Sequence, residues 1–284
     1  MMLQQALHQA QQAGLARIDA QLLLLHVLDR PAAGRATTGR AWLLTHDTDL
    51  LTPAQLQAFD DLCARRLTGE PVAYLTGRKE FYGLPLHIDA RVLDPRPDTE
   101  TLVDWTLEVL ADWNAPRIVD LGTGSGAIAL ALQQQRPDAS VWAVDASADA
   151  LAVAQGNAQT LHLPVQFAQG SWLQALAPGL NFDAIVSNPP YIAAGDPHLA
   201  ALTHEPLSAL ASGADGLDDI RAIIAQAPAR LAPGGWLLIE HGWDQGDAVQ
   251  ALLREAGFGE VQSRNDLAGI ARCTGGCMTH LDRQ

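Results

Sequence analysis

Between Gln4 and Leu67 apolar positions recur at helical spacing, as in Leu22, Leu23, Leu25 and Val27, and Thr52-Pro53 opens a further helix with proline in its first turn. Nothing in that stretch has the period of two that a half-buried strand requires. Residues 69–97 change character, because Gly69, Pro71, Gly77, Gly83, Pro85, Pro95 and Pro97 punctuate short β-like pieces such as Leu84–Ile88. Beyond Pro97 the pattern alternates. Strand candidates fall at 117–121, 141–146, 165–169, 182–188, 235–242, 260–265 and 270–274, and helical stretches at 126–136, 148–160, 218–232 and 245–256. Strands separated by helices imply right-handed crossovers and a mostly parallel sheet. The last two candidates are joined too closely for a crossover, so one of them runs antiparallel. The pattern therefore predicts an α/β protein with an N-terminal helical domain over 1–70, a β-hairpin linker over 71–97 and a seven-stranded sheet domain over 98–284.

Composition removes other classes. In 284 residues, 48% are hydrophobic and 18% charged, which excludes disordered and fibrous chains. The apolar run Leu22–Leu28 is interrupted by His26 and falls far short of the ~18 residues of a membrane span. The first twelve residues carry no Lys or Arg and no small-residue cleavage pattern, so a cytoplasmic protein is expected. Cys63, Cys273 and Cys277 give no disulfide framework, and the spaced pair at 273 and 277 lacks two further ligands for a metal, so no metal is expected.

Net charge is −14, and it is unevenly spread: residues 1–97 hold ten acids and ten bases, residues 98–284 hold 22 acids and eight bases. An acidic C-terminal part opposes stable nucleic-acid binding, which needs Lys and Arg against phosphate. Arg65, Arg66, Arg78, Lys79, Arg91 and Arg96 form a basic run, read first as a solvated face and second as a strip for an acidic partner.

The sharpest local pattern is Asp120-Leu-Gly122-Thr123-Gly124-Ser125-Gly126, after the first strand of the sheet and opening a helix. Glycines there let the backbone approach a ligand. Gly122-x-Gly124-x-x-Ala127 also fits a dinucleotide fingerprint, and Asp145 at the end of the next strand would hold a ribose diol in either case. Asp120 tips the balance. A carboxylate before the glycines repels a pyrophosphate but suits the ammonium and sulfonium of S-adenosylmethionine. In these residues the chain resembles class I methyltransferases.

At the end of the fourth strand stands Ser187-Asn188-Pro189-Pro190-Tyr191. Two prolines stiffen the backbone and remove two N–H donors, leaving carbonyls to accept. An Asn188 side-chain oxygen and the Pro189 carbonyl would each take one N–H of an amine or amide that receives a methyl group. The motif leaves open which NH₂ that is: a glutamine amide, or the exocyclic amine of a nucleic-acid base. His241, after the fifth strand, is set aside as a base, since an amide needs no strong base before methyl transfer.

The remaining motifs choose. Pro71–Gly77, Glu80–Leu86, Pro95–Glu100, Asn188–Tyr191, Asp196–Leu199, Gly213–Asp219 and Ala232–Gly235 resemble those of the bacterial peptide chain release factor N5-glutamine methyltransferases, the PrmC/HemK family, over residues 65 to 272. The resemblance implies a helical domain that docks substrate, a hairpin linker and a class I, Rossmann-like methyltransferase domain. It implies methyl transfer from S-adenosylmethionine to the glutamine of the Gly-Gly-Gln motif in class 1 release factors; separately, a monomer is expected. It also implies that Asp120, Gly122, Thr123, Gly124, Ser125, Gly126, Asp145, Trp172 and Asn188 bind cofactor, with Trp172 on the adenine. Asn188, Pro189, Pro190 and Tyr191 would bind the glutamine amide, Asn188, Pro189 and Tyr191 taking part in catalysis. Two positions depart from the family pattern. Ser171 replaces the usual acid of Gly-Asp-Trp, and Asp94 stands where an apolar residue often precedes Pro-Arg-Pro. The competing readings are a methyltransferase for a nucleic-acid amine and a non-catalytic binding module.

Overall fold

A computed structural model describes residues 1–29 and 39–278; the parts of the expected N- and C-terminal domains at 30–38 and 279–284 lie outside the described residues. The chain divides into two compact units, Met1–Glu80 and Phe81–Gln284.

In the first unit the described helices are α1 (Leu3–Gln12), α2 (Arg17–Val27), α3 (Arg40–Thr45), α4 (Pro53–Leu67) and α5 (Val72–Thr76). They enclose an apolar cluster that includes Leu3, Leu23, Leu24, Leu25 and Phe59. Thr52 caps α4 as expected: the Gln55 N–H donates to its Oγ1 at 3.2 Å, and its own N–H donates to Gln55 Oε1 at 3.0 Å. Arg66 on α4 pairs with Asp19 on α2 at 2.8 Å. The short α5 lies within the segment read as hairpin linker. Pro71 precedes it and Gly77, at φ +66°, ends it, so a stretch that reads as punctuation folds into one helical turn.

The hairpin itself is β1 (Arg78–Phe81) and β2 (Leu84–His87). Tyr82 and Gly83 both have positive φ, +51° and +77°, the twist that a two-residue hairpin turn favours. Tyr82 is held in that conformation by its N–H, which donates to Glu100 at 3.0 Å, and by its hydroxyl, which donates to Asp104 at 2.7 Å. Four members of the basic run are engaged by carboxylates: Arg65 by Glu70, Arg66 by Asp19, Arg91 by Asp89 and Arg96 by Glu205. That supports the solvated-face reading over a strip of available charge.

The second unit then runs α6 (Glu100–Val109), β3 (Arg117–Leu121), α7 (Ala127–Gln135), β4 (Ser140–Asp145), α8 (Ala148–Leu161), β5 (Gln166–Gln169), β6 (Phe182–Ser187), α9 (Asp218–Gln226), β7 (Leu231–Glu240), α10 (Gly246–Glu255), β8 (Gly259–Asn265) and β9 (Ala271–Cys277). The seven strands lie in the order β5-β4-β3-β6-β7-β9-β8. β3 pairs in parallel with β4 and β6, β4 with β5, and β6 with β7, while β9 runs antiparallel to both β7 and β8. The sheet reverses its order between β3 and β6, so ligands are expected beyond the ends of those two strands.

Several boundaries differ from the sequence reading. The helix expected to reach 232 stops at Gln226, because Pro228 cannot continue it, and β7 begins at Leu231. β7 carries Pro233, Gly234 and Gly235 through an irregularity in its pairing with β6. β9 extends past the expected 274 through Gly275 and Gly276. Those glycines read as strand breakers, yet they let the sheet face close: a Cβ on Gly275 would stand 2.3 Å from Leu238 and 3.0 Å from the buried Trp105. Gly275→Ala is therefore expected to lower stability by about 1–3 kcal/mol through overpacking. Urea unfolding of the two proteins measures this, and an unchanged midpoint would mean that Trp105 and Leu238 yield freely.

Candidate functional site

β3 and β6 stop side by side, Leu121 opposite Ser187, and the Ser187 hydroxyl donates to the Leu121 carbonyl at 2.7 Å. That bond ties the start of the glycine loop to the start of Asn188–Tyr191. The two segments singled out from sequence thus leave the sheet from neighbouring strand ends.

The loop after β3 turns sharply. Gly122, Gly124 and Gly126 have φ of +72°, +55° and +84°, and the N–H groups of Gly122 and Thr123 donate to the Val144 carbonyl of β4 at 2.8 and 2.9 Å. A Cβ at Gly122 would meet the Trp172 ring at 3.2 Å, so glycine there lets Trp172 lie against the loop. Ser125 is buried, and its carbonyl accepts from Asn157 Nδ2 at 2.9 Å. Asn157 also clasps His87 of β2, accepting its N–H at 2.8 Å and donating to its carbonyl at 3.0 Å. Sequence reasoning missed Asn157, which lies mid-helix in α8 with no motif around it.

Asp120 lies under the loop, fully buried. Its Oδ2 accepts from Thr123 Oγ1 at 2.6 Å and from the Ala129 N–H at 3.2 Å, whereas Oδ1 is buried without a partner. Burial pushes its pKa up to about 7, against the pull of those two hydrogen bonds, with the charge of Asp145 adding to the rise. A buried carboxylate with an orphaned oxygen is the group that a cationic ligand would satisfy. Asp145 is more open and has each oxygen on backbone: Oδ2 accepts from Gly124 N–H and Oδ1 from Ser147 N–H, both at 2.9 Å. Its second role, holding a diol, would share those oxygens.

On the other side, Asn188 is half-buried and its Nδ2 donates to Thr99 Oγ1 at 3.2 Å. Pro189 is buried, and Pro190 and Tyr191 are half-buried. Gln245 donates to the Tyr191 carbonyl at 3.0 Å, and Gly216 packs so close that a Cβ there would stand 2.2 Å from that oxygen. Burial holds the Tyr191 phenol well above its ordinary range, followed by the nearby charge of Glu240. Thr99 and Glu240 join this group without having been singled out individually. Thr99 sits inside the Pro95–Glu100 motif, which was its signal; Glu240 had none beyond its place at a strand end.

His241 has both ring nitrogens engaged, Nδ1 donating to the Gly242 carbonyl at 2.8 Å and Nε2 with Thr274 Oγ1 at 2.7 Å, and burial lowers its pKa. It has no nitrogen to offer as a base. Asp94, the departure before Pro-Arg-Pro, is buried beside a charged group: its N–H donates to Glu205 Oε2 at 3.2 Å, and Arg96, bound to Glu205, lies 3.9 Å from its carboxylate. The cation accommodates an acid where an apolar side chain would otherwise pack.

A reversing, mostly parallel sheet with a glycine loop and an Asn-Pro-Pro-Tyr segment at adjacent strand ends is the architecture of class I methyltransferases. The Methyltransferase small domain family matches residues 101–215, and the PrmC N-terminal domain family matches residues 2–77. The release factor glutamine methyltransferase of Bordetella pertussis is 52% identical over 93% of this chain and 95% of its own length, and that of Salmonella typhimurium is 45% identical over 98% of each. The chain belongs to the release factor glutamine methyltransferase family. Among solved structures, a 16S rRNA methyltransferase of T. thermophilus superposes with a TM-score of 0.55 at 22% identity, covering 70% of this chain and 49% of that one. A methyltransferase of Pyrococcus furiosus gives 0.54 at 15%, covering 78% and 100%. These two show the shared fold.

The elevated Asp120 makes a prediction about stability. A carboxyl whose pKa is raised on folding holds its proton in the native state while the unfolded chain has released it, so stability falls as pH rises from about 4 towards 7. Asp120→Asn should therefore gain stability relative to wild type as pH rises through that window in cofactor-free protein. Urea unfolding of both at several pH values tests it; parallel curves would mean that Asp120 is ionised in the fold.

Proposed function

We propose that this protein transfers a methyl group from S-adenosylmethionine to the side-chain amide nitrogen, N5, of the glutamine in the Gly-Gly-Gln motif of class 1 peptide chain release factors. The observation that carries this reading is the direction of the Asn188 amide. Its NH₂ is used by Thr99, which leaves Oδ1 as the acceptor end for a bound N–H.

Cofactor is held, in this reading, by the loop Gly122–Gly126 with Thr123, Gly124 and Ser125, by Asp120 and Asp145 on either side, and by Trp172 and Asn188. The orphaned oxygen of Asp120 fits the cationic methionine end. S-adenosylmethionine, when bound, supplies an electrophilic methyl group on a sulfonium. The chain's own work is at the acceptor. A glutamine amide nitrogen is a poor nucleophile because its lone pair is delocalised into the carbonyl. Asn188 Oδ1 and the Pro189 carbonyl each accept one of its N–H groups, and those bonds strengthen as positive charge develops on nitrogen. Pro190 keeps the clamp stiff and Tyr191 walls it, and the surplus proton leaves to water after transfer.

Residues 1–70 are assigned to docking the release factor, with the cytoplasm as the setting and a monomer as the working unit. No helix among the described residues is long and apolar enough to cross a membrane. Deleting residues 1–70 should leave cofactor binding intact and methylation of whole release factor poor; full activity of the shortened chain would remove those helices from docking.

Asn188→Ala is expected to lower single-turnover methyl transfer to purified release factor by ~10²–10³-fold. Affinity for S-adenosylmethionine, measured by calorimetry on the same protein, should stay within about tenfold. Near-wild-type turnover would return Asn-Pro-Pro-Tyr to the role of a structural turn.

A further inference from the structure

Glu240 ends β7 on the edge of the sheet that carries the candidate site. Ser187 is paired with Ile239, so Asn188 and Glu240 are the next residues along two hydrogen-bonded strands. Glu240 is 2% exposed, and its Oε2 is buried without a hydrogen-bond partner. Asn188 Nδ2 donates to Thr99 Oγ1 at 3.2 Å, and both side chains lie close enough to the carboxyl to hold its pKa down. A buried acid costs free energy that a glutamine of the same volume would not, so its charge calls for a purpose.

The purpose lies in the symmetry of an asparagine amide. Its two ends are nearly equal in size, but one donates and the other accepts. A clamp on a substrate N–H works only with Oδ1 turned outward. A neighbouring carboxylate attracts the NH₂ end and repels the carbonyl end, so it breaks the tie. We propose that Glu240 is a positioning residue that holds the Asn188 amide with Oδ1 towards the methyl acceptor, together with the Thr99 hydroxyl that accepts from Asn188 Nδ2. This rests on the reading of Asn188 as an amide clamp.

The arrangement makes catalysis depend on pH. Burial pushes Glu240 up to about 7; Thr99, Arg272 and Asn188 oppose the rise and Asp98 adds to it. The groups around it are Asp98 and Thr99 from the turn before α6, Asn188 and Tyr191 from the segment after β6, and Arg272 and Cys273 from β9. Burial raises the Tyr191 phenol and the Cys273 thiol, so both stay neutral through this range, and it lowers His241, the next residue along the chain. Above about 7 the carboxylate fixes the amide; below it a protonated Glu240 can accept from the NH₂ end or donate its O–H to Oδ1, and the preference is lost. Asp120 also rises to about 7, so the two carboxyls must be separated by mutation.

The test is the pH profile of single-turnover methyl transfer to release factor at saturating S-adenosylmethionine, with cofactor affinity and unfolding midpoint measured alongside. Wild type should show a rate that climbs with pH through neutrality. Glu240→Gln should flatten that limb and cut the alkaline rate by about tenfold or more, as loss of oriented positioning does, with cofactor affinity unchanged. Thr99→Val should fall likewise and Thr99→Ser should keep the wild-type profile, which holds the proposal to account even if Glu240→Gln folds poorly. A wild-type rate and limb in Glu240→Gln, or a limb that vanishes only in Asp120→Asn, overturns it. If Asn188→Ala is inactive while Glu240→Gln and Thr99→Val are normal, the positioning role alone fails. An active Asn188→Ala removes the clamp itself.

Discussion

Everything at the candidate site depends on two strand ends being held level. β3 and β6 are neighbours in the middle of the sheet, buried except at Arg117 and Asp183, and the Ser187 hydroxyl bonds the Leu121 carbonyl where both strands stop. From that point one chain turns through glycines and the other through prolines. The contrast is physical: the glycine loop gains conformations that bring backbone close to a ligand, whereas the proline segment loses freedom and N–H donors. A one-residue slip of β6 against β3 would turn Ser187 and Asn188 to opposite faces and dissolve the arrangement.

The same edge carries two carboxyls that a purely structural protein would avoid. Asp120 and Glu240 are buried at the ends of β3 and β7, each with an oxygen that lacks a partner. Burial raises both to about 7. Stability is therefore given up at these two positions. Asp120 faces the requirement of a cationic ligand and Glu240 the requirement of an oriented amide, so both penalties fall where the proposed chemistry needs charge.

Much of this was legible in the sequence where a local period or an unusual local composition carried the information. β3 and β6 are short apolar runs, and their predicted positions differ from the observed ones by no more than one residue. The glycine loop and Asn-Pro-Pro-Tyr announce themselves by residue type. The helical turn at Val72–Thr76 is too short to show a period. The extra length of β9 was hidden because Gly275 and Gly276 ordinarily signal a break, and the side chains that exclude a Cβ at Gly275, Leu238 and Trp105, lie 37 and 170 residues earlier. Thr99, Asn157 and Glu240 act through partners far away in the chain, and no window of sequence contains both members of such a pair.

The central claim is that the methyl group ends on a glutamine amide of a release factor. Incubating the protein with isotopically labelled S-adenosylmethionine, a class 1 release factor and total RNA, then sequencing the labelled material by tandem mass spectrometry, tests it most directly. The account predicts one added methyl group on the side-chain nitrogen of the Gly-Gly-Gln glutamine and none when that glutamine is replaced. Label recovered in RNA, or elsewhere in the release factor, would contradict it.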